Sequence, residues 1–153
     1  MAGGIEILVT SNDLRALYLR LHEIAPELRV ALRHGVVAAG HDTAEAVKRE
    51  ASWSTRIPAA VSVKASFAAK TVGLRITVDK TKAPEARPLE HGGRDGSFRH
   101  PVFADASETR DQWTWVDQPA HPFFAKAIAS EDVNYERQLF EVATEVARLA
   151  GFK

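Results

Sequence analysis

The chain has no cysteine among its 153 residues and only one methionine. The absence of cysteine excludes disulfides, thiolate nucleophiles and cysteine-ligated zinc. No apolar run approaches the ~18 residues that cross a bilayer, and the first four residues do not begin a charged-then-apolar leader. We therefore expect a protein that folds in the cytosol of its cell and has no membrane segment.

The chain also lacks an excess of charge of either sign, because 20 basic and 20 acidic side chains cancel. A neutral chain has no overall field that would recruit DNA or a membrane. The charge is nevertheless divided along the chain: residues 1–53 carry 6 basic and 7 acidic groups, residues 54–99 carry 9 and 4, and residues 100–153 carry 5 and 9. A basic middle and an acidic end can complement each other within one fold or between neighbouring copies, or form ordinary solvated faces.

The length and the apolar spacing predict a single α+β domain over residues 1–153, with helices packed on a small antiparallel sheet. The sheet is built around a β-hairpin, 61–67 and 71–78, in which apolar and polar residues alternate. The other predicted elements are a short strand or ordered arm at 5–9, helices from about residue 12 and from Pro26 to about Ser52, short strands near 100–103 and 113–116, a helix start at Pro122 and a last helix that ends at Gly151.

Two further segments carry specific expectations. The long helix contains Gly35 and Gly40, which predict close approach of another helix or a sheet. Residues 55–58 are expected to break this helix. The polar segment 80–97 is expected to be a long loop, flexible or ordered by a neighbouring subunit, with a single helical turn ending at Gly92.

Residues 87–128 concentrate two of the three Trp, four of the seven Phe and four of the seven Pro. Aromatic side chains are unusual in a segment punctuated by proline and glycine, because such segments are normally solvated. This stretch must be covered by the chain's own core or by another subunit, and the sequence leaves both open for Phe123 and Phe124.

Candidate catalytic groups are scattered. His34 and His41 share a helix face but lack a carboxylate partner in a known metal-binding spacing, and Glu90 beside His91 has no neighbouring nucleophile. A metal-assisted hydrolase using His34 and His41, or His91 and His100, is the weakest alternative. We expect no enzyme, no metal and no cofactor.

A nucleic-acid-binding domain is the better alternative to a structural protein. Basic residues recur through the middle of the chain and are able to line one surface: Lys64, Lys70, Arg75, Lys80, Lys82, Arg87, Arg94 and Arg99. Such a surface neutralises phosphates. The aromatic residues lie in the next segment and are not interleaved with the basic ones, as a base-stacking platform requires.

Several motifs occur in a fixed order. They are Ile57-Pro58-Ala59-Ala60-Val61, the hairpin, Pro88-Leu89-Glu90-His91-Gly92, Arg99-His100-Pro101-Val102-Phe103, and Trp115-Val116 through Gln118-Pro119-Ala120-His121-Pro122-Phe123-Phe124. In this order they resemble a family of tailed-bacteriophage neck proteins, called head–tail connector, tail-completion or minor tail-component proteins. The resemblance covers roughly residues 14–150. Residues 104–112 and 92–97 resemble variable insertions.

The resemblance implies a virion structural protein that joins or seals the head–tail junction as a homo-oligomeric ring, six- or twelve-fold, made in the bacterial cytoplasm. Its partners would be copies of itself, other neck, portal-adaptor or tail-tube proteins, and packaged DNA in non-specific contact. The expected interface or motif residues are Leu89, Glu90, His91, Gly92, His100, Pro101, Phe103, Trp113, Trp115, Pro119, His121, Pro122, Phe123 and Phe124. The basic residues expected to face the lumen or DNA are Lys80, Lys82, Arg87 and Arg94.

Overall fold

The computed structural model describes residues 5–10, 12–24, 26–68, 70–93, 95–102, 109, 113–130 and 135–149. The helices are α1 (Asn12–Ile24), α2 (Pro26–Glu50), α3 (Arg56–Ala60), α4 (Ala86–His91), α5 (Phe124–Ala129) and α6 (Tyr135–Leu149). The strands are β1 (Ile5–Thr10), β2 (Val61–Ala68), β3 (Thr71–Val78), β4 (Ser97–Val102) and β5 (Thr114–Pro119). The predicted α+β class is confirmed.

The main sheet has three antiparallel strands in the order β1-β3-β2. The predicted hairpin forms β2 and β3, in register from Val61 opposite Val78 to Ala68 opposite Thr71. β1 pairs with the other edge of β3, so the N-terminal segment is a sheet strand. β4 and β5 do not join this sheet: they pair with each other in a separate two-stranded sheet.

Helix α2 is the central element, because α1, α5, α6 and the inner face of the main sheet all pack against it. Its glycines allow this, as predicted. A Cβ at Gly35 would lie 2.5 Å from Val142 of α6, and a Cβ at Gly40 would lie 2.8 Å from Leu74 of β3. Both distances are below ordinary van der Waals contact, so α6 and the sheet come closer to α2 than any larger residue would allow.

The core consists of two neighbouring clusters along α2. The first surrounds the N-terminal half of α2 and includes Tyr18, Leu32, Val36, Val72 and Val146. The second surrounds its C-terminal half and includes Val47, Ile57, Ile76, Leu89, Phe123 and Phe124. Fully burying a large apolar side chain stabilises a fold by about 1.5–3 kcal/mol. Residues from the N-terminal, middle and C-terminal parts of the chain contribute to these two clusters, and the second cluster supports the candidate site.

The structure adds detail to two of the expectations. Residues expected only to break the helix form the short helix α3, because Ser54 Oγ accepts hydrogen bonds from the N–H groups of Arg56 and Ile57 (3.3 and 3.2 Å). Pro58 is tolerated, since the N–H groups of a first helical turn have no partner within the helix. The segment 80–97 was expected to be a long loop, and in its described part Ala83, Ala86 and Leu89 are buried in the core of the single chain.

Candidate functional site

A buried carboxylate joins the two motif-bearing segments. Glu90 lies near the end of α4, and only 6% of its surface is exposed. Its Oε2 accepts hydrogen bonds from the N–H groups of Phe123 and Phe124, both at 2.8 Å, and its Oε1 accepts one from the N–H of Ala125 at 2.7 Å. Three donors compensate the carboxylate for the water that it loses on burial.

The three donors belong to the N-terminus of α5. The first N–H groups of a helix have no partner within it, and the N-cap residue, Phe123, makes no side-chain cap of its own. Glu90 therefore caps α5 from 33 to 35 residues away in sequence. A negative charge at this end of a helix is also favoured by the helix dipole.

Backbone hydrogen bonds close the same junction. The N–H of His121 donates to Leu89 O at 2.7 Å, and the N–H of Ala120 donates to Gly96 O at 2.7 Å. These bonds join the residues that precede β4 to the residues that follow β5. The segment after α4 and the segment before α5 therefore form one unit, which we call the clasp (residues 88–96 and 120–125).

Gly92 is a conformational requirement of the clasp. Its φ is +60°, in the region that favours glycine, and its N–H donates to Pro88 O at 2.7 Å as it ends α4. A Cβ at this position would lie 2.8 Å from the backbone carbon of Gly96. A residue with a side chain at position 92 would therefore be disfavoured both by its backbone dihedral angles and by a steric clash.

The outer side of the clasp is covered by the end of α2 and the turn after it. The Trp53 ring stacks on the His121 ring with centroids 4.5 Å apart and 16° between planes, and meets Phe123 edge-on at 6.3 Å. Lys126 of α5 forms an ion pair with Glu50 at 2.9 Å. These contacts were not foreseen, because neither Trp53 nor Glu50 lies in a motif.

The structure divides the predicted interface residues by burial. Phe123, Phe124, Leu89 and Glu90 lie inside the single chain, with Phe123 completely buried. They form core, not an exposed subunit interface, because α4, α5 and Ile57 surround them within one chain. Gly92, His100, Pro101 and Trp113 are partly exposed, and His91, Trp115, Pro119, His121 and Pro122 are exposed. Phe103 lies outside the described residues.

The most exposed apolar residues of this region lie on the two-stranded sheet. Val102, Trp115 and Val116 expose 46%, 42% and 41% of their surfaces. Arg99 of β4 lies over the Trp115 ring, with its guanidinium carbon 5.9 Å from the ring centre. We call strands β4 and β5 the projecting hairpin, because no other described element packs extensively against either strand.

Basic residues lie on two other surfaces. Lys80, Lys82 and Arg87 have exposed side chains on the turns and short helix that follow β3, whereas Arg94 lies outside the described residues. On the outer face of the main sheet, Lys64 stands directly opposite Arg75, and both are exposed. Two exposed basic side chains therefore stand side by side on this face of the sheet.

The histidines of the two candidate metal pairs do not form a metal centre in the described part of the chain. His34 and His41 are both exposed on α2. In the part of the chain that the structure describes, no three His, Cys, Asp or Glu side chains are placed to hold a metal ion. No described helix is both long and apolar enough to cross a membrane.

The site thus defines a class of protein: an α+β domain in which a carboxylate clasp supports a projecting apolar hairpin. Comparison of the chain with protein-family models, with curated proteins and with solved structures finds no match.

Proposed function

We propose that this chain is a structural subunit of the neck of a tailed bacteriophage, which joins or seals the head–tail junction as a homo-oligomeric ring. The proposal begins from the ordered motifs that resemble neck proteins. The observation that carries it further is the projecting hairpin, which exposes Val102, Trp115 and Val116. A subunit that exposes several apolar residues on one small element has a surface suited to burial on assembly.

The chemistry of Glu90 supports a structural role over a catalytic one. Both carboxylate oxygens are engaged by backbone N–H groups of α5. A general base needs a lone pair directed at a substrate proton in an accessible cleft, whereas this carboxylate is enclosed by the core. The residue most suggestive of acid–base catalysis in the sequence is thereby assigned to holding α5 in place.

The second candidate function is a nucleic-acid-binding domain. The observation that favours it is the pair Lys64 and Arg75 on the exposed face of the main sheet. Binding through such a surface neutralises phosphates and falls steeply as salt is raised. The two proposals differ in what the isolated protein does: a ring subunit associates with itself, and a DNA-binding domain binds DNA fragments at low salt.

The test is the mass of the purified protein, measured by light scattering and native mass spectrometry over a concentration series, with and without double-stranded DNA. A species of six or twelve copies that forms without DNA is the expected result, and negative-stain images should show closed rings. A chain that stays monomeric at every concentration and binds DNA with a steep salt dependence would favour the second function.

A further inference from the structure

We infer that the projecting hairpin of one copy seats in an apolar groove between α2 and β2 of the next copy. This inference rests on the proposed ring and adds the surfaces that would build it. The groove and the hairpin are separate parts of one chain, so the contact would be head-to-tail. Contacts of this kind generate closed rings when the rotation between neighbours closes.

The hairpin provides the inserting surface. Trp115 and Val116 are neighbours on β5 and therefore point to opposite faces of a two-stranded sheet. Each face of the hairpin thus carries an exposed apolar side chain. On the Val116 face Phe98 of β4 packs against the second core cluster, so the Trp115 face is the one that we assign to insertion. An isolated hairpin is marginally stable in water, so burial against a partner would also stabilise it. Tryptophan is among the residues most enriched at the energetic centres of interfaces.

The groove provides the receiving surface. It has a volume of about 620 Å³ and is lined by Val30, Val37 and Ala38 of α2 and by Ala65 and Phe67 of β2. Clefts of about 300–1,000 Å³ are large enough to bury an anchoring group. Val30 is 51% exposed, and Ala65 is exposed although it alternates with the outward-facing Lys64 and Ser66. Helix α2 therefore leaves part of the inner face of the sheet uncovered.

The outer edge of β2, beside the groove, pairs with no other strand among the described residues. β2 is an edge strand in the order β1-β3-β2, and it is eight residues long. Exposed edges of this length are normally shortened, charged or covered, because their free N–H and C=O groups accept another strand. A strand entering the groove would therefore find both an apolar surface and a pairing edge.

Charge favours the hairpin of a second copy as the occupant. The residues that line the groove include Arg33 and His34 and no acidic side chain. Arg33 is held over the Phe67 ring at 5.1 Å, so its guanidinium lies at the rim. The hairpin region 97–119 carries four acidic and two basic side chains. Its exposed Asp117 lies two residues from Trp115 and hence on the same face. Asp117 stands opposite Arg99, which lies over the Trp115 ring, so an Arg33–Asp117 pair would form beside that cation–π contact when Trp115 inserts.

Position separates the two surfaces on the molecule. The groove lies beside residues 30–38 of α2, and the base of the hairpin joins the clasp, where His121 stacks on Trp53 just beyond the end of α2. The helix rises 1.5 Å per residue, so the two sites are about 25 Å apart along its axis. Surfaces at opposite ends of a subunit suit a head-to-tail contact.

Cysteine cross-linking tests the contact cleanly, because the native chain has no cysteine. The variants Val37→Cys and Thr114→Cys are mixed under mild oxidation; Thr114 is exposed beside Trp115, which this variant keeps. We expect a covalent dimer from the mixture, since each partner offers only one modified surface. The double variant should give a ladder of higher species. Ala59→Cys, an exposed site on α3, replaces Val37→Cys in the matched control and should give no dimer above background.

The outcomes separate the contact from the proposed function. No cross-linking in a sample of ring-sized mass would overturn the contact and leave the ring standing. No cross-linking in a sample that remains monomeric would overturn the contact and remove self-association as support for the neck function. Cross-linking in the control as strong as in the mixture would also overturn the contact.

A charge exchange gives an independent readout. Arg33→Glu and Asp117→Arg should each weaken self-association by about tenfold, and the double variant should recover most of that loss. Both positions are exposed, and unfolding curves establish that each variant folds as the native chain does. A double variant no tighter than the single ones would overturn the pairing.

Discussion

Two aromatic pairs lie close together in the sequence, yet the fold treats them differently. Phe123 and Phe124 meet edge-to-face with centroids 6.4 Å apart, and Trp113 and Trp115 lie 6.2 Å apart at 55°. The phenylalanines are buried in the core, whereas Trp115 is 42% exposed on the projecting hairpin. Similar ring geometry therefore accompanies opposite environments. The difference comes from the backbone: Glu90 fixes the N–H groups of the first pair, while the second pair stands on a two-stranded sheet.

The largest expected effect comes from a substitution that removes one member of the buried phenylalanine pair. Phe124→Ala should lower the free energy of unfolding by about 3–5 kcal/mol, because it removes a buried ring and leaves a cavity. Trp115→Ala, the matched control on the hairpin, should change it by less than about 1 kcal/mol and act on self-association instead. Chemical denaturation and light scattering measure the two effects. Equal losses of stability would contradict the contrast between the pairs.

The next largest effect is expected from removing the carboxylate charge of Glu90, which holds the buried pair in place. Glu90→Gln should cost about 1–3 kcal/mol, since the amide replaces one acceptor oxygen with a donor that faces backbone N–H groups. Glu45→Gln is the control: Glu45 pairs with Lys48 on the exposed surface of α2, where water screens the pair, so this variant should be almost as stable as the native chain. Urea unfolding of both variants tests this, and a Glu90 variant as stable as the Glu45 variant would argue against the capping role.

A smaller effect concerns the turn of the clasp. Gly92→Ala should destabilise the chain by about 1–2 kcal/mol, because L-residues disfavour this conformation, with a further cost from the close contact to Gly96. Gly96→Ala is a matched control, since its φ is +68° but a Cβ there would meet nothing within 4 Å. The difference between their unfolding midpoints isolates the steric part. Equal midpoints would show that strain alone matters.

The smallest expected effect concerns the outer cover of the clasp. His121→Ala should cost about 0.5–1.5 kcal/mol, because it removes the ring that stacks on Trp53. His91→Ala is the control: His91 is also exposed, its ring stacks on no aromatic ring among the described residues, and its loss should be close to neutral. Thermal unfolding followed by tryptophan fluorescence measures both, and a neutral His121 variant would mean that the stack adds nothing measurable.

Local patterns predicted much of this fold. The alternation of apolar residues placed the β2–β3 hairpin, the proline at residue 26 began α2, and the glycines of α2 indicated close packing. These features depend on neighbouring residues or on a single helix face, so a sequence shows them directly. The short helix α4 was also foreseen as a turn ending at Gly92, although it begins earlier, at Ala86.

The candidate site was harder to predict, because its key contacts are distant in sequence. Glu90 looked like an isolated acid beside a histidine, and nothing local showed that its partners lie at Phe123, Phe124 and Ala125. One signal was present: α5 begins at a phenylalanine, a poor N-cap, so its N–H groups needed an acceptor from elsewhere. The separate pairing of β4 with β5 likewise depended on distant segments.

The hydrogen bonds at Leu89, Gly96, Ala120 and His121 have a consequence for how such a chain can change over time. They hold the two ends of the hairpin region together next to α4 and α5, so for the rest of the fold this region is a loop with fixed ends. Doubling the length of a flexible loop costs only about 0.6 kcal/mol. Insertions and substitutions between residues 97 and 119 can therefore accumulate while the core stays intact. The clasp therefore allows the contact surface on the hairpin to change in sequence while the core that supports it is conserved in structure.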